Sequence, residues 1–247
     1  AKSLLGITYS EIGDNNRALE IYMPTLKQAE KLDDKKGMER ILHNIGISHN
    51  NGGDFDRAID YLDRSLVIAK ELEDKARIGL SLAVIGVLHN NRGDFDRAID
   101  CLDRSLVIAE ELEDKARIGL SLEHIGVVYY FKGNYDKALN YYERSLAIAE
   151  EVGDKSGTGT RIHNIGSVHN EKGDYDKALN CYERSLAIAE ELDYKLTMRL
   201  AQINIGVIHY YKGNLERALE YLEKLLTIKK EIEFGGDSLI LQKTIYL

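Results

Sequence analysis

Seven histidines are the side chains best suited to chemistry in this 247-residue chain, and four of them recur. His49, His89, His169 and His209 stand at multiples of forty residues from one another, whereas His43, His124 and His163 do not join that series. A metal site needs convergent ligands with hydrogen-bonded support behind them. His43, His124 and His163 have no carboxylate at ligand spacing, and the chain contains neither His-Glu-x-x-His nor Cys-x-x-Cys. The recurring serines Ser65, Ser105, Ser145 and Ser185 have no base tied to them by spacing, so they do not read as nucleophiles. Glu73-Asp74, Glu113-Asp114 and Gly153-Asp154 supply carboxylates but lack the dense Asp/Asn run, invariant Gly and closing Glu of a calcium loop. Helix capping explains them better. Phosphate-loop and Gly-x-Ser-x-Gly patterns are also missing. The expectation is no catalytic residue, no metal, no cofactor and no enzymatic activity.

Composition narrows the partners. Thirty-three Lys+Arg against 41 Asp+Glu give a net charge of -8, which argues against binding nucleic acid or an anionic membrane surface. The mean hydropathy of -0.33 and the lack of a long uncharged apolar run argue against a membrane span. Cys101 and Cys181, eighty residues apart, form neither a disulfide framework nor a zinc pattern, so reduced thiols in a cytoplasmic protein are expected.

What must position any functional side chain is a repeat. Gly6, Gly46, Gly86, Gly126, Gly166 and Gly206 recur every forty residues, Gly13 through Gly213 follow seven later, and Ala18 through Ala218 form a third series. Residues 53–82 match 93–122 except at Tyr61/Cys101 and Lys70/Glu110. Each unit reads as two antiparallel helices. Ala76–Asn91 typifies the first, with Ile78, Leu82, Ile85 and Leu88 at helical spacing, and Gly93 as its left-handed stop. Asp94 then caps a second helix whose apolar face includes Ala98, Leu102, Leu106 and Ala109. Gly86 and Ala98 are expected where the two helices approach most closely. Pro24 should kink the second helix of the first unit.

The Gly, Gly, Ala spacing, Asn-Ile-Gly at 44–46, 164–166 and 204–206, and Gly173-Asp174-Tyr175-Asp176-Lys177-Ala178-Leu179 resemble the tetratricopeptide repeat. The usual unit has about thirty-four residues and a Pro closing its second helix. Here Lys70, Glu110, Glu150, Glu190 and Lys230 take that place. The extra residues should lengthen both helices by roughly 4–5 Å each. The forty-residue variant resembles the Pins/LGN adaptors of spindle orientation and bacterial and archaeal tetratricopeptide regulators. The resemblance implies an all-α, right-handed superhelical solenoid of antiparallel helix pairs. It would form a single array over 1–247, with units near 1–36, 37–76, 77–116, 117–156, 157–196 and 197–236. Residues 237–247 would be a partial or capping helix, and both ends look cut. The recurring histidines fall where the family has Tyr, wedged between helices.

By the same resemblance, first helices line a concave groove that holds a protein or peptide segment. Its candidate residues are Asn44, Asn90, Asn164, Asn170 and Asn204, whose amides both donate and accept, and the aromatic Tyr130, Phe131, Tyr210 and Tyr211, which either anchor a ligand or pack on the next helix. The clamp for acidic chaperone tails does not carry over. Its matching positions are His43, Ile47, Val84, Leu120 and His124, without the Asn or the basic anchors. Ile47, Val87, Val127 and Val207 suit a partly apolar ligand instead. A scaffold is the leading expectation, a peptide-sensing module of a larger regulator the alternative, and end-to-end self-association a further one.

Overall fold

The computed structural model describes residues 2–234, with the side chains of 4–10 and 12–225. The expected capping segment 237–247 lies outside the described residues. All regular structure among them is helical. The helices are α1 (Lys2–Glu11), α2 (Asn15–Lys31), α3 (Lys35–Asn51), α4 (Phe55–Glu71), α5 (Lys75–Asn91), α6 (Phe95–Glu111), α7 (Lys115–Phe131), α8 (Tyr135–Val152), α9 (Lys155–Glu171), α10 (Tyr175–Glu191), α11 (Lys195–Tyr211) and α12 (Leu215–Phe234). Odd numbers are the first helices of the repeats. The chain divides into two compact units, residues 1–117 and 118–247.

Two kinds of turn end the helices. After each first helix a Gly takes a left-handed backbone, as Gly93 does at φ 77°, where a side chain would be strained. The turns after second helices need the same conformation but mostly lack Gly. Asp33, Glu73, Glu113 and Asp193 adopt φ of 49–53°, and among the described turns of this kind only Gly153 relieves the strain. An acidic or amide side chain caps most of the following helices, though α11 follows Tyr194 without a side-chain cap. Asp74 accepts from Arg77 N at 3.1 Å and Asp154 from Gly157 N at 2.8 Å. Pro24 does not stop α2, which runs through it for its full seventeen residues with Tyr22 and Leu26 buried on either side.

Within a repeat the helices touch where the small residues fall, as expected. A methyl group on Gly86 would sit 2.7 Å from Leu102 Cγ and 3.1 Å from the Ala98 carbonyl. Ala98 is completely buried. The recurring serines lock the same pair of helices. Ser105 Oγ donates to the Gly79 carbonyl at 2.9 Å, Ser145 to Gly119 at 2.6 Å and Ser185 to Gly159 at 2.9 Å. These hydroxyls are buried and spent on backbone, which explains their period and removes them from nucleophilic chemistry. In the first unit the core runs through Ala18, Tyr22, Leu42 and Ile45 to Ala58, Leu62, Leu82 and Ile85. In the second it runs through Tyr142, Ile162 and Ile165 to Tyr182, Ile205 and Ile208.

Candidate binding faces on the first helices

The second unit holds most of the candidate residues, on α7, α9 and α11. Phe131 is 57% exposed, Tyr210 62% and Tyr211 68%. Phe131 and Tyr211 end their helices, so nothing further along the helix covers them. Tyr130 differs. It is half-buried, its ring edge-on to Phe131 at 5.6 Å and tilted against Tyr135 at 5.8 Å. Burial first, then the Glu171 carboxylate, pushes its phenol up to about 12. Tyr210 and Tyr211 meet edge-on at 5.8 Å and remain open to solvent.

The asparagines are less free than their sequence suggests. Asn164 Nδ2 donates to Glu123 Oε1 at 3.4 Å, and Asn204 Nδ2 lies 3.2 Å from His163 Nε2. Each therefore reaches back to the first helix of the preceding repeat. Asn170 is half-buried near the end of α9. In the first unit, Asn44 lines a cleft of about 250 Å³ with Ile7, Ser10, Tyr22, Ile47 and Asn51. Asn90 turns its Oδ1 inward, where no described protein group donates to it.

Other polar side chains tie repeats together. Glu123 is mostly buried beside Arg161, whose guanidinium is only 4% exposed. Arg161 Nη2 reaches Glu123 Oε2 at 3.0 Å, its Nε donates to Ser145 Oγ at 2.7 Å, and Asp154 lies at 3.8 Å. The first unit repeats the device with other residues. Arg77 Nε donates to both oxygens of buried Glu39 at 2.8 and 2.9 Å, and Ser65 Oγ donates to Glu39 Oε1 at 3.0 Å. His43 is buried and its pKa is lowered to about 4, by burial first and by Arg77 second. His163 is held to about 4 by burial, with its ring 4.9 Å from Tyr182. The signal for these pairs lay in the mismatches between repeats. Glu39 stands where Gly79, Gly119 and Gly159 stand, and Arg161 where Ser81 and Ser121 stand.

The recurring histidines pack between helices as anticipated. His49 stacks on Tyr61 at 5.4 Å and His209 on Tyr221 at 5.9 Å. Cys101 and Cys181 are buried, and burial raises both thiols. Among the described residues no three His, Cys, Asp or Glu side chains converge, and no helix is long and apolar enough to cross a membrane.

A run of helix hairpins with invariant spacing, sealed by Gly against Leu or Tyr, defines a helical-repeat protein. Tetratricopeptide repeat models match residues 78–151 and 158–231, and another matches 41–76. The chain belongs to the tetratricopeptide repeat family. BtubC from P. vanneervenii has a similar fold at TM-score 0.77 and 17% identity, over 89% of this chain and 92% of BtubC. A signal transduction ATPase with numerous domains from Pyrococcus horikoshii, which has a tetratricopeptide repeat sensor, matches at TM-score 0.76 and 19% identity. That match spans 100% of this chain and 38% of the ATPase. A Rap protein complexed with competence and sporulation factor matches at TM-score 0.73 and 16% identity, over 94% and 75%. At such identities the likeness is one of fold. No curated protein sequence matches the chain.

Proposed function

We propose that this chain is a non-catalytic, cytoplasmic scaffold that holds a peptide or partner segment against the first helices of its repeats. The observation that carries the reading is the exposure of Phe131, Tyr210 and Tyr211 on one unit. Large aromatic side chains left in solvent are common anchors of interfaces. Asn170 near the end of α9, and Asn44 in the first unit's cleft, supply groups for the ligand's backbone, while Asn164 and Asn204 orient the surface. The Phe131→Ala/Tyr210→Ala/Tyr211→Ala variant should keep its helical content and lose the bound partner in affinity capture. An unchanged set of captured proteins would move the working surface elsewhere.

A second reading, a peptide-sensing module of a larger regulator, draws on one finding. The similarity to the Pyrococcus horikoshii protein with a tetratricopeptide repeat sensor extends over all of this chain. Ligand binding would then alter the behaviour of a domain attached to the array. Hydrogen exchange that changes only at contact residues on ligand addition would count against that reading.

A further inference from the structure

We infer that Glu171, bonded to Tyr135 and followed by the rings of Tyr130 and Phe131, is the subsite for a cationic side chain, arginine above all, of a peptide lying along α7, α9 and α11. The inference rests on the groove reading and names the chemistry its ligand must carry.

Glu171 is the last residue of α9 and is exposed. Its carboxylate is met by a phenol: Tyr135 Oη donates to its Oε2 at 3.3 Å, and the Tyr135 ring lies 5.8 Å from that of Tyr130 on α7. A carboxylate offers about four acceptor positions, so one phenol leaves room for further donors. Of the neighbouring lysines, Lys172 pairs with Asp136 at 2.6 Å and Lys212 with Asp176, while Lys132 shares a cleft with Tyr135 and Lys172. Arg161, on the same helix as Glu171, is buried against Glu123.

Three further features favour a cation here. Tyr135 bonds to Glu171 and packs on Tyr130, which in turn meets the open ring of Phe131, so the carboxylate ends a row of aromatic rings. A guanidinium can donate to the one while lying on the other. Phe131, Glu171 and Tyr211 close α7, α9 and α11 at the same register, so the negative ends of three helix dipoles lie on this rim. One repeat beyond Glu171, Tyr210 and Tyr211 offer apolar area for residues adjoining the cation.

The test is a phage-displayed library of random linear peptides panned on the wild-type chain and on Glu171→Gln, whose exposed, near-isosteric change leaves helical content intact. Wild-type binders should share an Arg or Lys flanked by apolar residues, and the Gln variant should not select it. In a synthetic copy of the best binder, Arg replaced by citrulline should weaken binding about tenfold on the wild type and hardly at all on Glu171→Gln. Binders without a basic residue, or an equal citrulline effect on both chains, would overturn the cationic subsite and leave the groove reading standing. A library that yields no binder would overturn both.

Discussion

Removing the Glu123 carboxylate should be among the most damaging single changes in the second unit. Arg161 is 4% exposed and has three partners: Ser145 at 2.7 Å, Glu123 at 3.0 Å and Asp154 at 3.8 Å. Glu123→Ala leaves a buried guanidinium with one neutral acceptor and one distant carboxylate. Breaking a buried pair from one side costs about 3–5 kcal/mol. Glu123→Gln keeps the shape and one acceptor, so it should cost about 1.5–3 kcal/mol, the worth of a hydrogen bond to a charged group. The pair itself is a different matter. Burial, outweighing Arg161, holds the Glu123 carboxyl above its ordinary pKa, so the attraction does not fully offset desolvation. Replacing both with apolar residues, as in Glu123→Leu/Arg161→Met, should therefore land within about 1 kcal/mol of wild type or above it. Urea unfolding followed by circular dichroism, completed as a double-mutant cycle, measures all three. A Glu123→Ala cost below about 1 kcal/mol would refute the reasoning. So would a double variant as unstable as the sum of the single ones.

Other expectations follow from the same contacts. Unfolded imidazoles take up protons near pH 6.5, whereas His43 and His163 wait until about 4. The unfolded chain thus binds more protons between those values, and stability should fall as pH drops through that window, by up to roughly 3 kcal/mol per histidine. Glu123, shifted upward, works against this at the acid end. His163→Gln should flatten the profile measured as urea midpoint against pH. Gly86→Ala should destabilise by about 1–2 kcal/mol, because overpacking against Leu102 and the Ala98 carbonyl exceeds the gain in helix propensity. Gly206→Ala, whose new methyl group meets nothing nearer than 3.4 Å, should instead stabilise by up to about 1 kcal/mol. A thermal melt of the two variants separates packing from propensity. Glu73→Gly relieves a left-handed φ of 53° and should stabilise by about 0.5–1 kcal/mol, while Gly93→Ala, at φ 77° with open space around it, should lose a similar amount to backbone strain alone. Equal urea midpoints for all three chains would refute that account.

Much of the architecture was legible because the fold is written six times over. Gly93, Asp94, Gly86 and Ala98 each perform the act their residue type and spacing imply. The left-handed turn at Glu73 was not legible, since the sequence places there a residue that resists the conformation and only the recurrence of the turn demands it. The serines were visible as a series but not as donors to Gly79, Gly119 and Gly159, because a bond between residues 26 apart leaves no local trace. The position of Pro24 inside α2 was legible from the repeat, and the helix runs through it with Tyr22 and Leu26 buried around it.

The candidate site shows where reading by repeat runs out. Positions at which the repeats disagree are where this array becomes individual, and they fall into two groups on the same helices. Glu123, Arg161, His163 and Asn204 meet the adjoining repeat and close its interior. Phe131, Glu171, Tyr210 and Tyr211 face away from it. On each of these first helices the inner residues precede the outer ones by six to ten positions, and the sequence marks both alike as mismatches between repeats. Burial shows which group is which. An ion pair such as Glu123 with Arg161 fixes how one repeat sits on the next, and so where the outward residues stand. Glu171 could not be presented between Phe131 and Tyr211 unless α7, α9 and α11 kept the register that the inner group enforces. The inner mismatches thus set the spacing of the rim, and the outer ones set its chemistry.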